Sequence, residues 1–490
     1  MNNRRGELFM IRYWVFFLMA LLLAAFPGGA EASPIPLRGV VEGFYGTPWS
    51  QRDRLDMMKF CGEQGLNAYI YAPKDDPYHR ERWREPYPGD RLKKLGKLVQ
   101  TAKQNGVEFI FAISPGMDLR FDGTGGEEDR KIMLRKLESM YALGVHSFAI
   151  FFDDIKGMTE KSSVDGKDAH QQAEFINEIQ KELRGIHGDV KPFLAVPTEY
   201  FYEDMVAKDS VKPYTQVFAR ELSPEVTVLY TGKGVVTEGI TDGEMEQVSK
   251  IYGRKLGIWW NYPVTDYQES KLALGAIVNL PKEGAPALFF NPMKHEELSK
   301  IALATGAEYA KNPGEYNADL AWNRAMKELY GDLAEDMKLF ASHSRRMENS
   351  WARCGQQDGE ELRREMEDFW KYWPSGGIEG QVSWFELRRK FREMDAAGER
   401  LQKKLPETIL SECRPQLGLF RDLAKADEEA LRLLRMYRFG NERETRSLLS
   451  ELKKKYAGFV AEENSVRISE GTARKFLKET VEYVEKRLGN

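Results

Sequence analysis

Two adjacent aspartates, Asp153 and Asp154, directly follow an apolar run in the stretch FAIFFDDIKG at 148–157. Two carboxylates held close together cannot both ionise freely, so the pKa of one is expected to rise until it holds a proton at working pH. A protonated carboxyl group beside an ionised carboxylate is the pair of groups that cleaves a glycosidic bond. The stretch therefore predicts acid–base chemistry on a glycoside.

The direct adjacency of the two aspartates restricts the mechanism. Consecutive residues of a strand point to opposite faces, so both carboxylates reach one pocket only if the strand ends at Asp153. Neighbours on one pocket wall cannot stand about 5 Å apart across a sugar, as the nucleophile and the acid do in most retaining glycosidases. The other carboxylate could instead steer a group of the substrate, such as a 2-acetamido oxygen, and this substrate-assisted route is our hypothesis.

Other interpretations of the acidic residues stay open at this point. Asp153 and Asp154 could cap a helix or form a structural ion pair, and Glu199 is a rival acid. A hydrolase with two catalytic carboxylates, acting on sugars without an acetamide, is a further alternative.

Polar and aromatic side chains also follow the other apolar runs of the first 300 residues. Carboxylates, amides and lysine bind sugar hydroxyls, and aromatic rings pack against pyranose faces. This inventory favours a sugar site. The stretches are EGFYGTPWS (42–50), PKDDPYH (73–79), SPGMD (114–118), PTEYF (197–201), TGKGVV (231–236), NYPVTDY (261–267) and NPM (291–293).

Eight short apolar runs, rich in β-branched and aromatic residues, alternate with amphipathic stretches. Continuous apolar strands separated by helices indicate a parallel sheet covered on both faces, and eight such units over about 270 residues predict a (β/α)8 barrel. A doubly wound sheet is the competing fold, but no nucleotide-binding fingerprint supports it. The runs are 39–44, 66–72, 107–113, 147–152, 192–196, 226–230, 256–260 and 286–290.

The remaining regions differ in character from the barrel, predicted at 34–312. Residues 313–490 are rich in Leu, Glu, Lys, Arg and Ala, without a convincing strand, and predict a helical bundle through which the protein could form a homodimer. We expect most tryptophans of this bundle to lie in its core and a few to edge the cleft. Residues 1–33 combine arginines, a short apolar run and small residues, the pattern of a secretory signal peptide.

Composition excludes several classes of function. The formal net charge of −4 gives no electrostatic basis for binding nucleic acid or an anionic membrane. Three cysteines and six histidines show no metal-binding spacing, so we expect neither a metal nor a cofactor. The signal-peptide pattern predicts a secreted, periplasmic or cell-surface protein, with an uncleaved N-terminal anchor as the alternative.

Seven ordered motifs resemble glycoside hydrolase family 84, which contains O-GlcNAcases and bacterial β-N-acetylglucosaminidases. They are GVVEGFYGTPWS, YIYAPKDDPYHR, FFDDI, VPTEYF, YTGKGVV, WWNYPVTDY and FFNPM. The resemblance implies a retaining mechanism through an oxazoline, acting on a glycan or glycoprotein that carries N-acetylglucosamine. It also implies that Asp153 polarises the acetamido group and that Asp154 is the general acid and then the base.

The same resemblance implies eight substrate-binding residues. Asp266 would bind the 4- and 6-hydroxyls and Asn291 the 3- and 4-hydroxyls, while Asn261, Lys74 and the Gly43 backbone would contact the sugar as well. Tyr200 would hydrogen-bond the acetamido region, and Trp259 and Tyr267 would wall the N-acetyl pocket. The rival from another class is a silent module that binds N-acetylglucosamine, although a pure binder has no need of a proton donor.

Overall fold

The computed structural model describes residues 33–155 and 166–489, so the predicted signal peptide falls almost wholly outside the described residues. Eight parallel strands close into a barrel, and each of the eight predicted runs supplies one of them. The fold-class prediction is therefore confirmed. The strands are β1 (Leu37–Glu42), β2 (Ala68–Tyr71), β3 (Glu108–Ile113), β4 (Ser147–Phe151), β5 (Leu194–Val196), β6 (Thr227–Tyr230), β7 (Gly257–Trp260) and β8 (Ala287–Phe290).

The barrel closes because β8 pairs in parallel with β1, where Leu37 lies opposite Ala287. Apolar side chains such as Ile70, Phe151 and Phe289 fill the interior. The outer face of each strand packs against helices, which explains why the runs are continuously apolar rather than alternating. A filled interior leaves the end of the barrel as the place for a binding site.

Helices around the barrel follow the predicted alternation, with two departures. The segment between β5 and β6 contains an unpredicted pair of two-residue strands, Val206–Ala207 and Ser210–Val211, and the connection 261–286 between β7 and β8 contains no helix. The helices are α1 (Gln51–Gln64), α2 (Gly89–Gln104), α3 (Gly123–Tyr141), α4 (Lys167–Ile186), α5 (Tyr202–Met205), α6 (Pro213–Glu221), α7 (Asp242–Tyr252) and α8 (Glu296–Lys311).

The C-terminal region is a helical bundle, as predicted. The predicted division at 312/313 falls in the short connection between α8 and α9. The bundle helices are α9 (Ala318–Tyr330), α10 (Ala334–Ala341), α11 (Glu360–Tyr372), α12 (Ile378–Lys404), α13 (Glu407–Phe439), α14 (Glu442–Ala461) and α15 (Ala473–Arg487).

The prediction that no strand occurs in the C-terminal region is wrong. Met347–Glu348 pairs antiparallel with Arg353–Cys354, and these strands are too short to produce a periodic pattern. The first helical stretch of this region is also divided, because Gly331 adopts a positive φ of 50° between α9 and α10. The strand pair forms a hairpin that reaches back to the barrel.

A buried ion pair holds this hairpin region on the barrel. The ammonium group of Lys271, in the loop after β7, donates to Asp358 Oδ2 at 2.6 Å. The other oxygen of Asp358 accepts the backbone N–H groups of Arg345 and Arg346, which precede the hairpin. The hairpin is thereby fixed over the carboxyl end of the barrel.

Within the described ranges, no helix is long and apolar enough to cross a membrane.

Candidate active site

A cavity of about 680 Å³ lies at the carboxyl ends of the barrel strands. All ten residues that the sequence pointed to as catalytic or substrate-binding line it, although they come from six different strand ends. Their individual roles stay predictions. The ten are Gly43, Lys74, Asp153, Asp154, Tyr200, Trp259, Asn261, Asp266, Tyr267 and Asn291.

The centre of the cavity is an ion pair between Lys74, which follows β2, and Asp153, which follows β4. Both side chains are nearly inaccessible to solvent, and the same ammonium group lies 3.7 Å from Asp154 Oδ2. Burial opposes the charge on Lys74, but the two carboxylates outweigh it and raise the pKa of Lys74. The ammonium group of Lys74 therefore interacts with both Asp153 and Asp154.

Asp154 turns into the same cavity because the chain leaves the strand geometry there. β4 ends at Phe151, and Asp154 adopts a left-handed backbone conformation with φ of 54°. Its carboxylate accepts hydrogen bonds from the hydroxyls of Tyr45 at 2.7 Å and Tyr200 at 3.1 Å. The condition that the strand must end at Asp153 is met, so both carboxylates share one pocket.

The expected rise in the pKa of one aspartate is not found for Asp154. Burial alone raises its pKa, but Lys74 and the hydroxyls of Tyr45 and Tyr200 stabilise the carboxylate and lower the pKa below its usual value. The prediction considered repulsion between Asp153 and Asp154 and omitted the lysine that lies beside both. Asp154 is therefore ionised in the free site.

Two buried oxygens on the cavity wall lack a hydrogen-bond partner among the residues the structure describes. They are Oδ1 of Asp153 and Oδ1 of Asn291. A buried acceptor without a donor is costly, and most such atoms in proteins have partners. Because both residues line the cavity, we interpret the two oxygens as acceptors directed at a ligand that carries N–H or O–H donors.

An indole ring forms one wall of the cavity. Trp259 points into the barrel and contacts Phe151 with ring centroids 5.4 Å apart, whereas Trp260 packs in the outer core. A Cβ atom on Gly43 would lie 2.4 Å from the Trp259 ring. Only glycine fits at position 43 without moving this wall.

The side chain of Asn261 forms hydrogen bonds mainly with other groups of the protein. Its Oδ1 accepts from Trp259 Nε1 at 2.8 Å and from Asn291 Nδ2 at 2.9 Å, and its Nδ2 donates to the carbonyl oxygen of Val235 at 2.7 Å. These bonds orient the indole wall and leave Oδ1 of Asn291 facing the cavity. Asn261 thus positions its neighbours, and the direct sugar contact expected of it stays a prediction.

The rim of the cavity contains both barrel and bundle residues. Asp266 accepts the backbone N–H of Tyr45 at 2.8 Å, and burial raises the pKa of its carboxyl. The ring of Tyr267 lies 5.2 Å from that of Trp351, an exposed tryptophan of the hairpin. The expectation that a few bundle tryptophans edge the cleft is met by Trp351.

Two residues that competed for a role lie away from the chemistry. Glu199 is buried, accepts a hydrogen bond from Thr215 at 2.6 Å and does not line the cavity, so it is not the acid. His79, from the stretch after the second apolar run, is fully buried between Ala112 and Ser114 and does not line the cavity either.

The chain matches two family descriptions in succession. Residues 38–342 match the beta-N-acetylglucosaminidase family, and residues 361–477 match the hyaluronidase post-catalytic domain-like family. The first match covers more than half of the chain and contains all ten cavity residues predicted above. This chain belongs to the beta-N-acetylglucosaminidase family, glycoside hydrolase family 84.

Relatives of this beta-N-acetylglucosaminidase family member agree with the assignment. The mouse (Mus musculus) and rat (Rattus norvegicus) proteins named Protein O-GlcNAcase are each 36% identical over 294 residues, 59% of this chain. That stretch is only 31% of the length of either relative.

Two solved structures extend the similarity to the bundle. CpGH84B is 36% identical, with a TM-score of 0.84 over 91% of this chain and 77% of its own. A mutant of the Thermobaculum terrenum O-GlcNAc hydrolase is 27% identical, with a TM-score of 0.81 over 92% and 96% of the two chains. The family architecture of barrel and helical region is thus shared along most of this chain.

Three further residues of this family member were not among the predicted site residues. Tyr45, Arg80 and Trp351 all line the cavity. Tyr45 and Arg80 lie within the quoted motifs, and their position after β1 and β2 was a usable signal. Nothing local marks Trp351, because its place depends on how the hairpin folds onto the barrel.

Proposed function

We propose that this chain is a retaining β-N-acetylglucosaminidase that hydrolyses terminal β-linked N-acetylglucosamine from glycans or glycoproteins by substrate-assisted catalysis. Membership of the family and similarity to proteins named O-GlcNAcase and O-GlcNAc hydrolase support the reaction class. The main support for the mechanism is the buried carboxylate of Asp153. One of its oxygens forms an ion pair with Lys74, and the other has no hydrogen-bond donor among the described residues.

The open oxygen of Asp153 fits the N–H group of a 2-acetamido substituent. The carboxylate of Asp153, paired with Lys74, accepts a hydrogen bond from the amide N–H and makes the acetamide oxygen more nucleophilic. That oxygen then attacks carbon 1 of the sugar, and an oxazoline forms as the bond to the leaving oxygen breaks. A sugar with a 2-hydroxyl would leave this arrangement without a nucleophile.

Asp154 supplies the proton for the leaving oxygen. In the free site it is ionised and accepts from Tyr45 and Tyr200, so it has to gain its proton as substrate binds. A glycoside that fills the cavity excludes water from around Asp154, and this desolvation favours the neutral carboxyl. In the second step Asp154 takes a proton from water, which opens the oxazoline and retains the β configuration.

The remaining contacts follow the roles that the family resemblance implied. Asp266 and Asn291 bind hydroxyls of the sugar, and the open Oδ1 of Asn291 supports its role as an acceptor. Gly43 and Lys74 contact further hydroxyls, Tyr200 the acetamido region, and Trp259 with Tyr267 wall the N-acetyl group. Asn261 contacts the sugar as well and also orients Trp259 and Asn291.

The decisive experiment is hydrolysis of an aryl N-acetylglucosaminide by the wild-type chain and by Asp154→Asn. We expect turnover by the wild type and a loss of about 10²–10⁴-fold in kcat/KM in the variant, the usual contribution of general acid–base catalysis. Asp189→Asn, at an exposed aspartate after α4, serves as the matched control and should retain full activity. Binding without turnover in the wild type would identify the silent sugar-binding module instead.

A second comparison separates the two hydrolytic mechanisms. The wild-type chain is offered aryl glycosides that differ only in a 2-acetamido or a 2-hydroxyl group. The substrate-assisted route predicts hydrolysis of the acetamido sugar alone, with the β anomer as the first product observed by NMR. Equal rates for the two sugars would support the hydrolase with two catalytic carboxylates.

We also propose that the protein is exported and that it forms homodimers through its bundle. Export is supported by the signal-peptide pattern at 1–33, and the N-terminus of the mature protein, read by mass spectrometry, distinguishes cleavage from anchoring.

The dimer is supported by three apolar side chains that are exposed at successive turns of α12: Ile378, Val382 and Phe385. Val382→Asp should convert a dimer to a monomer in size-exclusion chromatography with light scattering.

A further inference from the structure

The loop between β2 and α2 is held by an unusual internal cation. Lys136, on α3, is almost completely buried, and its ammonium group donates to the carbonyl oxygens of Tyr78 at 2.5 Å, Trp83 at 2.7 Å and Glu85 at 2.8 Å. Three acceptors match the three N–H donors of an ammonium group. One side chain thus fixes the loop at three points.

His79 anchors the same loop from the opposite side. One ring nitrogen lies 2.8 Å from the carbonyl oxygen of Ala112, and the other lies 3.2 Å from the hydroxyl of Ser114. The backbone N–H of Ser114 donates back to the carbonyl oxygen of His79 at 2.9 Å. The residue that follows, Arg80, therefore starts from a rigid backbone.

Arg80 extends from this anchored loop to the catalytic aspartate. Its guanidinium donates to the backbone carbonyl oxygen of Asp154 at 2.8 Å and to the hydroxyl of Tyr45 at 3.0 Å. The Tyr45 hydroxyl in turn donates to the carboxylate of Asp154 at 2.7 Å. The three residues form a closed ring of hydrogen bonds around one acid.

The backbone of Asp154 needs such a restraint. A φ of 54° is unusual for an aspartate, and a non-glycine residue stays in this region only when its surroundings hold it there. Arg80 binds the carbonyl group whose direction this conformation sets. The carboxylate is therefore aimed by its own backbone as well as by its hydroxyl partners.

We propose that Arg80 is a positioning residue for the general acid: it holds the backbone of Asp154 and the hydroxyl of Tyr45, and Lys136 holds the loop that presents Arg80. This inference rests on the proposed function, because it assumes that Asp154 protonates the leaving group. It adds a residue that acts through another residue and need not touch the sugar.

A positioning role for the acid has a distinctive kinetic signature. A poor leaving group needs a well-placed proton donor, whereas a dinitrophenolate leaves almost without one. Loss of Arg80 should therefore reduce kcat/KM in proportion to the basicity of the leaving group. A general loss of structure would reduce kcat/KM equally for every leaving group.

The test measures kcat/KM for Arg80→Gln with phenyl, nitrophenyl and dinitrophenyl N-acetylglucosaminides. We expect a loss of about 10–100-fold for the phenyl glycoside and about twofold or less for the dinitrophenyl glycoside. Arg80→Lys keeps a cation that can reach one of the two acceptors and should give an intermediate loss. Arg82→Gln, which removes an exposed partner of Glu85 in the same loop, should match the wild type throughout.

A companion variant examines the support of the loop. Lys136→Met removes the three carbonyl contacts and should reproduce a weaker form of the leaving-group dependence, whereas Lys131→Met, at an exposed lysine of the same helix, should not. If Lys136→Met does not fold, the Arg80 variants decide alone. The proposal would be overturned if Arg80→Gln lost kcat/KM equally for all leaving groups or retained wild-type rates. Absence of turnover in the wild type would overturn the proposed function instead.

Discussion

Two buried aspartates, one in each region of the molecule, have unpartnered oxygens for opposite reasons. Asp153 lines the cavity at the end of the barrel; one of its oxygens binds Lys74, and the other has no hydrogen-bond partner among the described residues. Asp427, in α13 of the bundle, is fully inaccessible, and neither of its oxygens has a hydrogen-bond partner in the described part of the chain. Asp153 therefore lies beside a cation and a cavity, whereas Asp427 lies in the bundle core, where solvent does not reach it.

The difference shows how to interpret a buried carboxyl group. Burial without any compensating charge raises the pKa of Asp427 well above its usual value, so this side chain is neutral. At the barrel end, Lys74 supplies Asp153 with the counter-charge that Asp427 lacks. For a buried carboxyl group, a missing hydrogen-bond partner therefore indicates a ligand only where a cavity and a counter-charge accompany it.

The largest effect is expected at the barrel end. Asp153→Asn keeps the size of the side chain but removes the charge that activates the acetamide, so kcat for an aryl N-acetylglucosaminide should fall by about 10²–10³-fold. Circular dichroism should show an unchanged fold. An unchanged rate would remove the distinction between the two aspartates.

The matched change in the bundle should alter stability and leave the rate alone. Because the pKa of Asp427 is raised on folding, the folded protein keeps a proton that the unfolded chain releases, and the free energy of unfolding falls as pH rises above the ordinary aspartate range. For one proton the slope reaches about 1.4 kcal/mol per pH unit. Asp427→Asn should reduce this slope in urea titrations at several pH values, while kcat and KM match the wild type.

A smaller effect is expected where the two regions meet. Trp351→Ala removes the bundle's aromatic contribution to the cavity rim, so kcat/KM should fall by about three- to tenfold, mostly through KM. Trp384→Ala in the bundle core should instead lower the melting temperature. If Trp351→Ala lowered only the melting temperature, Trp351 would stabilise the fold without contributing to substrate binding.

The smallest change concerns the proton on Asp154. Tyr200→Phe removes one of the hydroxyls that lower its pKa, so the pKa of Asp154 in the free enzyme should rise. The protonated acid then persists to higher pH, and the alkaline limb of the kcat/KM profile should move upward, with rates at low pH about threefold below the wild type because the contact of Tyr200 with the acetamido region is also lost. A downward movement would contradict the assigned acid.

Sequence alone determined the parts of this protein that repeat or that lie close along the chain. Eight apolar runs predicted eight strands, because a strand covered on both faces must be apolar throughout. The polar residues after those runs predicted the site, because parallel strands deliver their carboxyl ends to one rim. Asp153, Asp154 and Asn291 were found in this way, with family resemblance supplying their expected roles.

Only the tertiary structure decided what those residues meet. Lys74 lies 79 positions from Asp153 in the chain, and its charge reverses the expected pKa shift of Asp154. Trp351 reaches the cavity through a hairpin too short to leave a pattern, and Arg80 reaches Asp154 across 74 positions. Electrostatic and hydrogen-bond effects depend on distance in space, whereas periodicity records only distance along the chain, so these contacts become predictable only after the barrel has closed.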